Sequence, residues 1–257
     1  MSYNAKNSIS LKTKDGLNIA AKKLEGNPPT VIFMPGFFSN MEGTKATYLE
    51  EQCRRRGQAY IRFDYRGHGR SDGKFEDGAV TDWLNDTLLV LDELAEAPVV
   101  AVGSSMGGWI ALLMARAIPE RVAGIVGLAA APDFTEDSLW ADATDAQRAD
   151  LMETGRYEVP SDYSDKPYVI TRRLIEDGRD HLVLRSPLPL PFPVRLLHGT
   201  ADTDVPVAVA LRLMEHADCP DLRLTLIKDA DHRLSTPACL ELITNTADAL
   251  LAQVVAP

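Results

Sequence analysis

The chain has 257 residues, of which 45% are hydrophobic and 25% charged, the composition of an ordinary globular protein long enough to bury a full core in one domain. Its formal net charge of -10 argues against nucleic acid or an anionic membrane surface as a partner, since both are polyanions that repel it over about a Debye length. The three cysteines, Cys53, Cys219 and Cys239, are few, odd in number and without metal-ligand spacing, so no disulfide framework or metal site is expected and reduced thiols are.

The opening residues, MSYNAKNSIS, have neither an apolar core nor an arginine-rich face, so no targeting segment is read there. No run approaches the roughly 20 apolar residues of a membrane span. A cytoplasmic location is the resulting expectation. Ser8 to Thr13 and Leu17 to Leu24 alternate apolar and polar residues around Asp15 and Gly16, the pattern of an antiparallel hairpin. Thr30 to Met34 is fully apolar and reads as the first interior strand, running into Pro35, Gly36, Phe37 and Phe38. A helix is expected over Thr44 to Arg56, where Arg54, Arg55 and Arg56 before Gly57 suit the negative end of a helix dipole better than a binding patch.

Gln58 to Phe63 is a second interior strand, followed by the polar, glycine-dense loop from Asp64 to Gly73, where His68 reads as a loop histidine. Trp83, Leu84, Thr87, Leu88, Leu91 and Leu94 give an amphipathic helix. Val99 to Val102 is then an unbroken apolar strand, and Trp109, Ile110, Leu112 and Leu113 recur at helical spacing up to Ile118 and Pro119. Between them Gly103, Ser104, Ser105, Met106 and Gly107 form GxSxG in a strand-to-helix setting. So abrupt a turn leaves room only for hydrogen at the two glycines, and it exposes Ser105 at a helix N-terminus, where backbone N–H groups face developing negative charge.

Val122 to Ala131 is a further interior strand, which makes the alternation regular enough for an α/β fold with a mostly parallel, doubly wound sheet. The rhythm breaks from Pro132 to about Pro193. This stretch holds Phe134, Trp140, Tyr157, Tyr163 and Tyr168, with helix-like pieces at Asp145 to Thr154 and Tyr168 to Asp177. It reads as a small cap inserted over the sheet's carboxyl edge, at about residues 132–192 of a single domain spanning 1–257. The sheet resumes at Val194 to His198, a helix follows at Val207 to His216, then a strand at Leu222 to Ile227, and a final helix from Pro237 to Val254.

A serine, an acid and a histidine each follow a strand, in the order Ser105, Asp202, His232. A serine hydroxyl needs a base within hydrogen-bond reach, and the base needs an acid to fix its tautomer. Ser105 is therefore the candidate nucleophile, His232 the base and Asp202 the acid. Asp204, two residues on, and Asp133, after the preceding strand, are alternatives for the acid. Asp231 adjoins His232 and should point away from the imidazole. His198 reads as a strand-end histidine bonded to backbone, and His181 and His216 as structural or exposed. The backbone N–H groups of Phe37 and Met106 are the expected oxyanion donors.

The runs PGFFSNMEGTKA, IRFDYRGHGRSDG, GSSMGGW, SPLPL, RLLHGTADTDVP and DHR together resemble the α/β hydrolase superfamily. They are similar in particular to its mitochondrial abhydrolase-domain branch of palmitoyl-protein thioesterases and acyl-glucuronide esterases. The resemblance runs from about Leu17 to the final helix, and the branch's transit peptide has no counterpart at the N-terminus. It implies the α/β hydrolase fold, Ser105, Asp202 and His232 as the triad, no cofactor, and a small-molecule or protein-linked acyl substrate. An apolar acyl pocket is expected from Phe37, Phe38, Met106, Trp109 and the cap aromatics. The alternatives are a short-chain carboxylesterase or peptidase of the same fold, or a non-catalytic binding protein built on it. The oligomeric state is not legible.

Overall fold

The computed structural model describes residues 8–96, 98–160 and 167–255; of the residues singled out above, Tyr163 lies outside them. The chain opens with β1 (Ile9–Lys12) and β2 (Asn18–Leu24), paired antiparallel as Ile9 with Ala21 and Leu11 with Ile19. Then come β3 (Asn27–Met34), α1 (Thr44–Arg56), β4 (Gln58–Phe63), α2 (Val80–Leu94), β5 (Val99–Ser104), α3 (Met106–Ala117) and β6 (Val122–Leu128). The segment beyond β6 holds α4 (Asp145–Thr154), β7 (Arg156–Val159), β8 (Tyr168–Thr171) and α5 (Arg172–Arg179). The chain closes with β9 (Val194–Gly199), α6 (Val207–His216), β10 (Leu222–Ile227) and α7 (Pro237–Val255).

Eight strands form one sheet in the order β1-β2-β4-β3-β5-β6-β9-β10. β2 meets β4 antiparallel, and every pair from β4 to β10 is parallel, with Ile32 beside Ala101 and Ala101 beside Ile125 in the middle. β3 is followed outward by β4 on one side and by β5 on the other, so the winding reverses at β3 and β5. Crevices outside the carboxyl ends of strands at such a reversal are where open α/β sheets bind ligands.

Period-2 alternation divides the sheet's side chains between two helical layers. Ile32, Met34, Ile61, Ala101 and Ile125 pack against α2 and α3, around Trp83, Leu91, Trp109 and Leu113. Val31, Phe33, Val100, Val102 and Val126 pack against α1 and α7, around Leu49, Cys53, Ile243 and Leu250. α7 is a correction to the expectation that no run is long and apolar enough for a membrane span: by length and composition it is. The spacing of Leu240, Ile243, Ala247 and Leu250 puts one face of this helix on the sheet.

Three boundaries differ by three residues or more from the sequence reading. β3 starts at Asn27, ahead of its prolines, because Asn27 pairs with Gln58 before the register shifts, and the Gln58 side-chain amide donates to Asn27 O and Pro29 O. β6 stops at Leu128, because Ala129 turns to φ 45°. The helix expected from Tyr168 begins at Arg172 instead, since Tyr168, Val169, Ile170 and Thr171 pair antiparallel with β7 and the Thr171 hydroxyl caps α5 by accepting from Leu174 N. Between β6 and β9, Leu151, Tyr157, Ile170 and Ile175 form an apolar cluster of their own, and Phe37 packs against it.

Candidate active site

Ser105 sits at the reversal between β5 and α3 with φ 53° and ψ -119°, a left-handed conformation that costs a non-glycine residue about 1–3 kcal/mol. Its surroundings over-determine it. Ser105 N–H donates to Leu128 O at 2.9 Å, and Ser105 O accepts from Gly108 N at 2.9 Å and Ala131 N at 3.1 Å. The two glycines of the motif are needed for space: a Cβ at Gly103 would lie 2.3 Å from Gly107 O, and one at Gly107 would lie 2.1 Å from Met34 O. Close packing against the neighbouring strand, as well as against the turn itself, sets the requirement.

His232 follows β10 and Asp202 follows β9. His232 Nε2 is 3.0 Å from Ser105 Oγ and His232 Nδ1 is 2.8 Å from Asp202 Oδ2. The other carboxylate oxygen, Asp202 Oδ1, accepts from Asp204 N at 3.0 Å and Val205 N at 2.8 Å. Burial raises the Asp202 pKa, but the His232 hydrogen bond and the Val205 N–H outweigh it and hold the carboxyl below its ordinary value. His198 Nε2 lies 2.8 Å from Val205 O, as expected of a histidine bonded to backbone, and also 3.4 Å from Asp202 Oδ2.

The alternatives for the acid lie elsewhere. Asp133 is fully buried, but it accepts from Val183 N at 2.7 Å, Leu184 N at 3.0 Å and Arg185 Nη1 at 2.8 Å, tying the two ends of the segment between β6 and β9 together. Asp204 is exposed and meets Asp202 through its backbone N–H. Asp231 Oδ1 accepts from Leu234 N at 3.2 Å. The remaining histidines serve the scaffold: His68 Nδ1–H donates to Arg66 O, His181 bonds Thr81, and His216 bonds Ser186 O. Burial pushes His68 down to about 4.

Met106 opens α3, so its N–H is among those with no intrahelical acceptor. Gly36, the residue before Phe37, lies against the serine, since a Cβ there would stand 3.2 Å from Ser105 Cβ. Among the described residues no acceptor takes the Phe37 N–H.

These groups open into a cavity of about 1000 Å³ with Phe37, Phe38, Met106, Phe134, Leu139 and Tyr168 in its wall. Phe38 and Tyr168 approach to 4.5 Å between ring centroids, and Phe37 and Phe134 to 5.3 Å. Trp109, expected in the pocket, is fully buried beneath it, against Phe134 at 5.6 Å and with its N–H directed at His181 O. Trp140 and Tyr157 are also absent from the wall: Trp140 lies under the Arg148 and Arg179 guanidinium groups, and Tyr157 hydroxyl donates to Leu139 O.

Lys45 was not singled out by the sequence reading. It lines the cavity from the first turn of α1 and donates to Arg233 O, next to His232. Burial pushes its ammonium down to about 8. A lysine in a first helical turn opposes the helix dipole, and that was the available signal. Among the described residues no group of three or more His, Cys, Asp or Glu is placed to hold a metal ion.

Comparison with known proteins agrees with this architecture. The pattern described as "Alpha/beta hydrolase family" matches residues 31–239. The mitochondrial palmitoyl-protein thioesterase ABHD10 of Bos taurus is 40% identical over 248 residues, covering 96% of this chain and 81% of the bovine one. The crystal structure of a putative hydrolase from Agrobacterium vitis superposes with TM-score 0.91 at 40% identity, covering 95% of this chain and 97% of the other. Alpha/beta hydrolase domain-containing protein 10 from mouse superposes with TM-score 0.88 at 36% identity, covering 96% and 99%. The expected cytoplasmic location is corrected by these relatives, since the ABHD10 proteins are named as mitochondrial. The thiols on which that expectation partly rested fit any reducing compartment and do not distinguish among them. With its reversal at Ser105, its mostly parallel sheet and its near full-length relatives, the chain is a hydrolase that belongs to the alpha/beta hydrolase family.

Proposed function

We propose that this protein is a serine hydrolase that cleaves acyl esters or thioesters through an acyl-enzyme, with a long apolar acyl chain as the preferred group. The observation that carries the reading is the hydrogen-bonded relay from Ser105 Oγ through His232 to Asp202, opening into a cavity walled by Phe37, Phe38, Phe134 and Tyr168. The 40% identity to a palmitoyl-protein thioesterase favours the same substrate class, and a mitochondrial setting with it.

In this mechanism Ser105 Oγ attacks the acyl carbonyl carbon as its proton passes to His232 Nε2. The carbonyl oxygen becomes an oxyanion, held by the N–H groups of Phe37 and Met106; one such donor contributes about 3 kcal/mol to transition-state stabilisation. Asp202 keeps the His232 Nδ1–H in place and stabilises the imidazolium. His232 then returns the proton to the departing oxygen or sulfur. A water deprotonated by His232 attacks the acyl-enzyme carbonyl, and the carboxylic acid leaves as Ser105 regains its proton. The segment between β6 and β9 acts as a cap, contributing Phe134 and Tyr168 to the acyl site.

The test is kcat/KM on matched ester and thioester series of increasing acyl length, with Ser105→Ala as the blank. Each buried methylene is worth about 0.8 kcal/mol, close to fourfold, so the ratio climbs until the cavity is full. An optimum at short chains moves the assignment to a small-molecule carboxylesterase. Failure of the folded protein to react with a fluorophosphonate identifies a non-catalytic binding protein instead.

A further inference from the structure

We propose that His198 is a positioning residue for Asp202, an inference that rests on the triad reading above. His198 is the penultimate residue of β9, paired with Leu226 of β10 and 1% exposed, and the Asp202 carboxylate is fully buried beside it. Val205 O is a carbonyl and can only accept, so His198 Nε2, 2.8 Å away, carries the hydrogen. The same Nε2–H stands 3.4 Å from Asp202 Oδ2, the oxygen that faces His232 Nδ1. At that length it is an electrostatic contact rather than a second full hydrogen bond.

The two contacts close a ring. Asp202 Oδ1 is held by Val205 N–H and Asp204 N–H, and Val205 O is held in turn by His198. The carboxylate therefore depends on the Val205 main chain for one oxygen and on the flank of His198 for the other. The loop after β9 is tied to the His232 loop by Ala201 N–H, which donates to Ala230 O at 3.0 Å, and the two run so close that a Cβ at Gly199 would lie 2.1 Å from the same oxygen. His198 thus fixes the rotation of a carboxylate that must present one oxygen to the His232 Nδ1–H. It acts through Asp202 and touches no reacting atom.

The experiment compares His198→Leu, which removes the donor, with His198→Gln, whose amide nitrogen reaches the place of Nε2. In His198→Leu, kcat is expected to fall about 10- to 100-fold, the rate equivalent of losing an orienting hydrogen bond near a charged group. KM stays within about twofold, because no substrate contact is removed. The far-downfield proton resonance of the His232 Nδ1–H shifts in His198→Leu, and His198→Gln restores both this signal and most of kcat. Should His198→Leu fail to fold, His198→Asn decides, its amide ending one bond short of Val205 O: a low kcat supports the assignment and a wild-type kcat overturns it. Turnover that survives Ser105→Ala overturns the triad reading, and this proposal with it. An inactive Ser105→Ala alongside a His198→Leu variant with wild-type kcat and an unmoved resonance overturns the role of His198 alone.

Discussion

Gly107 faces the carbonyl oxygen of Met34 so closely that a methyl group on it would lie 2.1 Å from that oxygen. This contact joins the first turn of α3 to the end of β3, and it holds the reversal at Ser105 beside the loop that carries Phe37. Gly107→Ala is expected to lower stability by about 3 kcal/mol, at the upper end of overpacking losses because main chain must move, and to remove most activity. Urea midpoints and kcat/KM on one ester substrate check both effects.

Asp133 holds Val183 N–H, Leu184 N–H and Arg185 from one buried carboxylate. Asp133→Ala leaves these donors without their acceptor and is expected to destabilise the protein by about 3–5 kcal/mol. What remains folded at low temperature should react with a fluorophosphonate at close to the normal rate, since Asp133 has no contact with His232. Active-site titration beside thermal melting separates the two outcomes.

His68 is packed edge-on among Tyr65, Phe75 and Trp83, and its pKa is held near 4 by burial. The unfolded chain takes up this proton near the reference value of about 6.5. Above that pH both states are neutral and the group has no effect. Between about 6.5 and 4 the unfolded state binds the proton and the folded state excludes it, so stability falls as pH falls, by about 3 kcal/mol in all. His68→Asn, which keeps a donor for Arg66 O, is expected to flatten the slope of unfolding free energy against pH in that window.

Tyr168 reaches from β8 into the wall of the cavity, its ring centroid 4.5 Å from that of Phe38. Tyr168→Ala is expected to lower kcat/KM for long acyl chains about tenfold, the transfer value of one to two buried methylene equivalents, and to leave short chains within about twofold. The acyl-length series reads this directly, and a uniform loss across all lengths contradicts it.

Asp202→Asn keeps the shape of the acid but presents the wrong tautomer to His232, and kcat is expected to fall by about 10⁴. A thermal midpoint near that of the wild type, measured on the same preparation, assigns the loss to chemistry rather than folding.

The sequence by itself determined the alternation of strands and helices in a mostly parallel sheet, the reversal at Ser105 and the succession Ser105, Asp202, His232. Apolar runs such as Val99 to Val102 mark strands buried on both faces, and in a parallel sheet the loops after them share one edge. Only the tertiary structure decided which acid faces His232. Asp133 and Asp202 both follow strands, but Asp133 finds its donors about 50 residues along the chain at Val183 and Leu184, whereas Asp202 finds His232. It also decided that Trp109 lies under the cavity while Tyr168 lines it, that Tyr168 to Thr171 is a strand, and that His198 flanks the Asp202 carboxylate. The burial of Trp109 and the pairing of β8 depend on partners elsewhere in the chain, while His198 and Asp202, only four residues apart, meet through the path of the loop after β9. Periodicity reports which face of an element is apolar; it carries no information about which distant group that face, or a buried polar atom, will meet.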